Sequence, residues 1–303
     1  MRLPDGVLGM AGRGPDWDAW VARLPGLATG LVEEWDLTPD GWPMHGYCSL
    51  VVPVRTSDGE AAVLKVTFDG DEESEHEHLA LRHWGGRGAV RLLRADPHRR
   101  ALLLERLDDD DLTGVPDLEA CEVVAGLYPR LHLTAPAQLR TVTSYLERWL
   151  VPLGAMPRNA PVPRRLVEQA ASLGRDLVVD PASTGVLVHG DLHYLNVLAA
   201  DREPWLVIDP KPMSGDPHYE PAPMLWNRME ELDDVRTGVR RRFHTLVDAG
   251  GLDEARARAW VVVRMVLNAH WTVADAERTG RSLSAEERGW ITSCIAIAKA
   301  VQD

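Results

Sequence analysis

The sequence predicts an α+β protein of two lobes, an N-terminal antiparallel sheet with one helix followed by a larger, mainly helical C-terminal lobe. Three observations carry this expectation. From about residue 45 to 107, short apolar runs alternate with turn residues, as strands do. Beyond Asp108 the apolar residues recur at helical spacing. Between those helical stretches, a polar segment from His189 to Asn196 is bracketed by short apolar runs. The boundary falls at the end of the strand-rich part, giving residues 1–107 and 108–303 as the two lobes. A chain of 303 residues is long enough for each to bury a core.

The elements follow in order. The first forty residues, with Pro4, Gly6, Gly9, Gly12, Gly14 and Pro15, read as a loose lead-in with a helix near Trp17 to Leu24. Tyr47 to Arg55 and Ala61 to Phe68 are strands joined by the turn Thr56-Ser57-Asp58-Gly59. Alternation places Val63, Lys65 and Thr67 on one face, with Ala62, Leu64, Val66 and Phe68 on the other. A lysine within so apolar a strand is costly to bury unless it is paired. Asp71 to Trp84 has a helical pattern, and at 100° per residue Glu77 shares a face with Ala80, Leu81 and Trp84, the face most apt to turn inward. Glu73 lies one turn earlier on that face, Glu75 points away with Leu79, and Glu72 also competes. Ala89 to Ala95 and Ala101 to Leu104 complete the strands. Helices are expected over Leu118–Leu133, Val142–Leu150, Pro163–Val178, Ala222–Asp233, Val235–Ala249, Asp253–Arg278 and Ser284–Val301. In the long one, Trp260, Val263, Leu267 and Trp271 form a core stripe.

The chemistry lies in the polar segment. Gly185-Val186-Leu187-Val188 is a short buried strand that delivers His189-Gly190-Asp191-Leu192-His193-Tyr194-Leu195-Asn196 to a loop. Val197-Leu198-Ala199 and Trp205-Leu206-Val207-Ile208 are apolar runs on either side of the turn Ala200-Asp201-Arg202-Glu203-Pro204. Paired as a hairpin centred on that turn, they set Asn196 opposite Asp209. An amide oxygen and a carboxylate at one end of a hairpin suit a hard cation such as magnesium, with nucleotide phosphates completing its shell. Asp191 enters from the loop, free to accept a hydroxyl proton. A metal cluster of His189, Asp191 and His193 is the alternative for the same residues.

These residues and spacings resemble the catalytic loop and metal-binding aspartate of the protein-kinase-like phosphotransferases. The His-Gly-Asp opening is similar to the aminoglycoside phosphotransferase family, and Ile208-Asp209-Pro210-Lys211-Pro212 with Gly215-Asp216-Pro217 to its streptomycin 6-kinase and hydroxyurea phosphotransferase group. The resemblance covers roughly Val51 to the C-terminus. It implies a protein-kinase-like fold and transfer of the γ-phosphoryl group of MgATP to a substrate hydroxyl. Asp191 would orient that hydroxyl and take its proton, while Asn196 and Asp209 would hold Mg2+. Lys65, beside Val63, matches the lysine that binds the α- and β-phosphates, and Glu77 matches its glutamate partner, with Glu73 the second choice. Glu105 and Leu107 fall at the hinge whose backbone meets the adenine edge. The phosphate-covering loop would lie near His45 to Ser49, where Gly46 stands alone without a Gly-x-Gly-x-x-Gly run.

Composition narrows the partners. A formal net charge of −13 argues against nucleic acid, whose binding rests on Lys and Arg neutralising phosphates, and is compatible with a cationic small molecule. Asp216 and Glu220, closely following the metal aspartate, are the candidate acceptor-pocket carboxylates for guanidinium or ammonium groups. Three scattered cysteines suggest neither a disulfide framework nor a zinc site, so a reducing cytoplasm is expected. No apolar run approaches a membrane span. The expected state is a monomer or weak dimer. No Ala-Pro-Glu follows the metal aspartate, which favours a small-molecule acceptor over a protein. Streptomycin leads, with hydroxyurea or another small alcohol as the alternative and a non-catalytic nucleotide-binding pseudokinase behind both.

Overall fold

A computed structural model describes residues 1–303, which divide into two compact units. The first comprises Met1–Asp109 with Leu198–Pro212, and the second Asp110–Val197 with Met213–Asp303.

In the first unit, Ser49–Arg55 and Ala61–Thr67 pair antiparallel, with Val51 opposite Lys65 and Val54 opposite Ala62. Ala61–Thr67 also pairs with Ala101–Glu105, which pairs in turn with Leu92–Asp96. Thr38–Pro39 and Met44–His45 add short edges to Ser49–Arg55. Alternation explains the layering. Leu50, Val52, Val54, Ala62, Leu64 and Val66 turn to one side and are buried in a single core. That core is closed by the helix Pro15–Glu34 through Trp20, Leu24, Ala28 and Leu31. Each Val or Leu among them contributes about 1.5–3 kcal/mol on burial. The lead-in is more ordered than its glycines suggest: Asp5–Leu8 is helical, and Leu3, Val7 and Met10 join the same core.

The helix expected over Asp71–Trp84 forms only over Glu77–Trp84. Asp71 accepts hydrogen bonds from the Glu73 amide at 3.1 Å and the Ser74 hydroxyl at 2.6 Å. A side chain that captures nearby donors this way stabilises a turn in place of the helix's first turns. Glu77, Ala80, Leu81 and Trp84 are its buried residues, the face that phasing at 100° per residue selects.

The expected boundary at residue 107 misses one segment. Residues 198–212 group with the strand-rich unit because the hairpin Val197–Ala199 with Trp205–Val207 is tied there. Val207 exchanges backbone hydrogen bonds with Gly88 and Val90, and the Arg202 guanidinium reaches the Glu105 carboxylate and the carbonyls of Gly86 and Ala89.

The second unit is mainly helical. Asp117–Leu131 packs on Val235–Gly250, Val142–Gly154 on Arg164–Val179, and Glu254–Arg278 on both Arg164–Val179 and Ala285–Ala300. Ser284 and Glu287 form a reciprocal capping box at the start of the last helix. Trp260, Val263 and Leu267 are buried as a stripe. The helix expected over Ala222–Asp233 stops at Trp226, because Asn227 is extended and Arg228 has φ 54°. The Arg228 side chain is drawn to the carbonyls of Leu112 and Val115 and to Glu231. Val186–Val188 pairs with Met213–Gly215, a strand absent from the sequence reading. Gly215 is required there: a Cβ would lie 2.6 Å from Val142 and 2.9 Å from Val188. No helix is long and apolar enough to cross a membrane.

Candidate active site

Strand alternation and helix phase bring Lys65 and Glu77 together inside the first unit. The Lys65 ammonium donates to both Glu77 oxygens at 2.7 Å, with side chains only 8% and 3% exposed. It also donates to Asp209 Oδ1 at 2.6 Å. Asp209 has φ 54°, a left-handed conformation that aspartate tolerates better than most residues. Burial would raise the Asp209 carboxyl, but Lys65 and Lys211 outweigh it and hold the group well below the usual carboxylate range. Burial would lower the Lys65 ammonium, but Asp209 and Glu77 hold it above its usual value. A charged lysine and an ionised aspartate therefore stand side by side. Glu73, the second choice for the lysine's partner, is exposed.

Lys211 is the residue sequence reasoning passed over. Its ammonium lies 3.4 Å from Asp209 Oδ1 and 3.5 Å from Asp71 Oδ2. Cys48 donates its thiol to the same Asp71 oxygen at 3.0 Å, and burial with that neighbouring charge pushes the thiol up to about 12. The legible signal was a lysine two residues from an aspartate in an otherwise apolar run.

Three other candidates sit nearby. Val63 shares the strand face of Lys65 and is half-buried. Glu105 ends its strand with its amide donating to the Arg91 carbonyl at 3.0 Å and its carboxylate held by Arg202. Leu107 follows, half-buried.

In the second unit the loop bearing Asp191 is held from both sides. Gly190 has φ 84°, a left-handed turn that favours glycine. Its amide donates to Glu220 Oε2 at 3.2 Å, the His189 amide donates to Glu220 Oε1 at 2.5 Å, and the Gly190 carbonyl accepts from Arg264 at 2.9 Å. The Asp191 carboxylate, with a side chain 32% exposed, reaches solvent, and His193 Nε2 lies 3.8 Å away. Asn196 closes the loop by donating Nδ2 to the Asp191 carbonyl at 2.8 Å, with His193 Nε2 at 3.2 Å. The nitrogen end of the amide is thus committed, leaving the oxygen end for a cation. An amide oxygen such as that of Asn196 is a hard donor of the kind Mg2+ prefers. His189, Asp191 and His193 form no metal cluster, since no group of three or more His, Cys, Asp or Glu side chains is placed to hold an ion.

Asp216 and Glu220 do not line an acceptor pocket as their charge suggested. Both are buried, at 1% and 0% exposure, and their oxygens serve internal donors. Glu220 carries the His189–Gly190 turn. Asp216 accepts from the Trp260 indole at 2.7 Å, from Arg256 and from His218. Arg256 continues to Asp180 and Ser183. Counting acids in a sequence does not tell inward from outward; the prolines at 217 and 221 and the apolar residues after them were the signal of a buried turn.

Asp216 yields a pH prediction. Burial would raise its carboxyl, but the hydrogen bonds from His218 and Trp260 hold it below its usual value. The folded protein then binds that proton less readily than the unfolded chain, so the stabilisation is present above about pH 4 and lost on further acidification. Asp216→Asn should cost about 1–3 kcal/mol at pH 7. Urea unfolding at pH 7 and near pH 3 should show the gap to wild type narrowing; an equal gap at both would contradict the assignment.

A lysine–glutamate pair within an antiparallel sheet lobe, an aspartate after a hairpin and a clamped His-Gly-Asp loop define a kinase-like phosphotransferase. Residues 34–276 match the family model of aminoglycoside/hydroxyurea antibiotic resistance kinases, and the chain belongs to that family. It is 43% identical to a streptomycin 6-kinase of Streptomyces glaucescens over 270 residues, 86% of this chain and 87% of that one. It is also 43% identical to a hydroxyurea phosphotransferase of Kitasatospora aureofaciens over 277 residues, covering 89% and 77%. Among solved structures it is similar to the aminoglycoside phosphotransferase APH(4)-Ia, with a TM-score of 0.60 at 16% identity, covering 91% and 99%. A similar score of 0.61 at 12% identity relates it to the choline kinase LicA from Streptococcus pneumoniae, covering 93% and 99%. The fold is therefore shared across acceptors and does not choose among them.

Proposed function

We propose that this protein transfers the γ-phosphoryl group of MgATP to a hydroxyl of a streptomycin-type aminoglycoside, conferring resistance to the antibiotic. The observation that carries the reading is the 43% identity to a streptomycin 6-kinase over 86% of the chain. Asp191 orients the acceptor hydroxyl and takes its proton. Lys65, fixed by Glu77, neutralises the α- and β-phosphates. Val63 and the backbone of Glu105 and Leu107 meet the base. Asn196 and Asp209 hold Mg2+, which supplies positive charge against the phosphates when bound. Glu220 and Asp216 act as positioning residues, the first through the His189–Gly190 amides. The rate enhancement then comes from positioning and electrostatics, as phosphoryl transfer requires. The acidic chain, at net charge −13, suits a guanidinium-bearing acceptor and disfavours nucleic acid. Three free, separated cysteines accord with work in a reducing cytoplasm.

A second reading, hydroxyurea as acceptor, is favoured by an equal 43% identity to a hydroxyurea phosphotransferase. Acceptor competition separates the two. With MgATP held constant, kcat/KM should be largest for streptomycin, lower for hydroxyurea and negligible for choline. Preference for hydroxyurea would select the second reading; turnover of neither would reject both.

A further inference from the structure

The chain contains three lysines among its 33 lysine and arginine residues. Lys299 is exposed on the last helix. The other two, Lys65 and Lys211, converge on one carboxylate oxygen, Asp209 Oδ1, at 2.6 and 3.4 Å. Ion pairs elsewhere, such as Arg99 with Glu34, Arg242 with Asp117 and Arg256 with Asp216, use arginine. The planar arginine fork suits a carboxylate, whereas the compact ammonium serves as a point charge for phosphate. A lysine at 211 in so arginine-rich a chain points to an anion other than a carboxylate.

The local charge balance points the same way once Asp209 holds a cation. Lys65 and Lys211 face Glu77, Asp209 and Asp71, two positive groups against three negative. A cation that takes Asp209 withdraws that carboxylate from both ammonium groups. Lys65 keeps two 2.7 Å bonds to Glu77, but Lys211 keeps only Asp71, at 3.5 Å. With a side chain only 14% exposed, such an ammonium requires a further anion. The Cys48 thiol on Asp71 ties this group to the segment at 46–48, where a phosphate-covering loop is expected but only one glycine is available.

We propose that Lys211 is a second phosphate-binding lysine of the nucleotide site, aligned by Asp71. The proposal rests on the reading of Lys65 and Asp209 as nucleotide-binding residues. It is tested by titrating wild type, Lys211→Met, Lys211→Arg and Asp71→Asn with ADP and with adenosine, each with and without Mg2+. Lys211→Met should weaken ADP about tenfold or more with Mg2+, less without it, and leave adenosine unchanged. Lys211→Arg should restore the thermal midpoint while binding ADP about fivefold or more weaker than wild type. Asp71→Asn should give a smaller loss of the same kind. Wild-type ADP affinity in Lys211→Met or Lys211→Arg, or parallel losses for ADP and adenosine, would overturn it. Should Lys211→Met not fold, acetylation of the wild type decides: ADP should slow modification of Lys211 as it slows that of Lys65, and an unslowed Lys211 rejects the proposal. Absence of ADP binding by the wild type would instead bring down the nucleotide-site reading beneath it.

Discussion

Asp191→Asn should cut phosphoryl transfer by about a hundredfold or more while leaving MgATP affinity near the wild-type value. The asparagine is nearly isosteric, so the clamp made by Glu220 and Arg264 on the preceding turn should stay intact. What disappears is the only carboxylate of that loop, and with it the group that accepts the hydroxyl proton. Single-turnover rates together with ATP titrations separate the two effects. A variant that turned over at the wild-type rate would remove Asp191 from the mechanism. A variant whose ATP affinity collapsed would make it a nucleotide ligand instead.

Lys65→Met carries the second large effect, and it acts on stability as well as on binding. The substitution leaves the Glu77 carboxylate, 3% exposed, without the ammonium that donates to both its oxygens. Removing one member of a buried ion pair costs about 3–5 kcal/mol, whereas replacing both by apolar groups of similar volume is close to neutral. Lys65→Met should therefore unfold at markedly lower urea, and Lys65→Met with Glu77→Leu should regain most of the loss. Neither should regain ADP affinity, because the phosphate-binding charge is absent from both. Recovery of stability and affinity together in the double variant would reduce the pair to scaffolding.

The outcome of these substitutions rests on geometry that was legible in the sequence to unequal degrees. Strand alternation put Val63 and Lys65 on one face, and helix phase selected Glu77 over Glu75, because both are short-range periodicities that side-chain direction obeys. The hairpin after Asn196 was readable from its apolar flanks and central turn. Longer-range partnerships left no such trace. Arg202 reads as a turn residue, yet its guanidinium binds Glu105, Gly86 and Ala89 and carries the hairpin to the strand-rich unit. Asp71 reads as the start of a helix, but its side chain captures Glu73 and Ser74 and delays the helix to Glu77. Asp216 and Glu220 read as acceptor-pocket carboxylates, and only their tertiary donors, Trp260 and the His189–Gly190 amides, show them to be interior.

The most direct test follows the phosphorus atom. Wild type and Asp191→Asn would be incubated with streptomycin, Mg2+ and ATP carrying a labelled γ-phosphate, and the label traced by mass and position. The account predicts stoichiometric label on one hydroxyl of streptomycin with wild type, release of ADP in equal amount, and about a hundredfold less with the variant. Label appearing only as free phosphate, or on streptomycin at equal rates with both proteins, would contradict it.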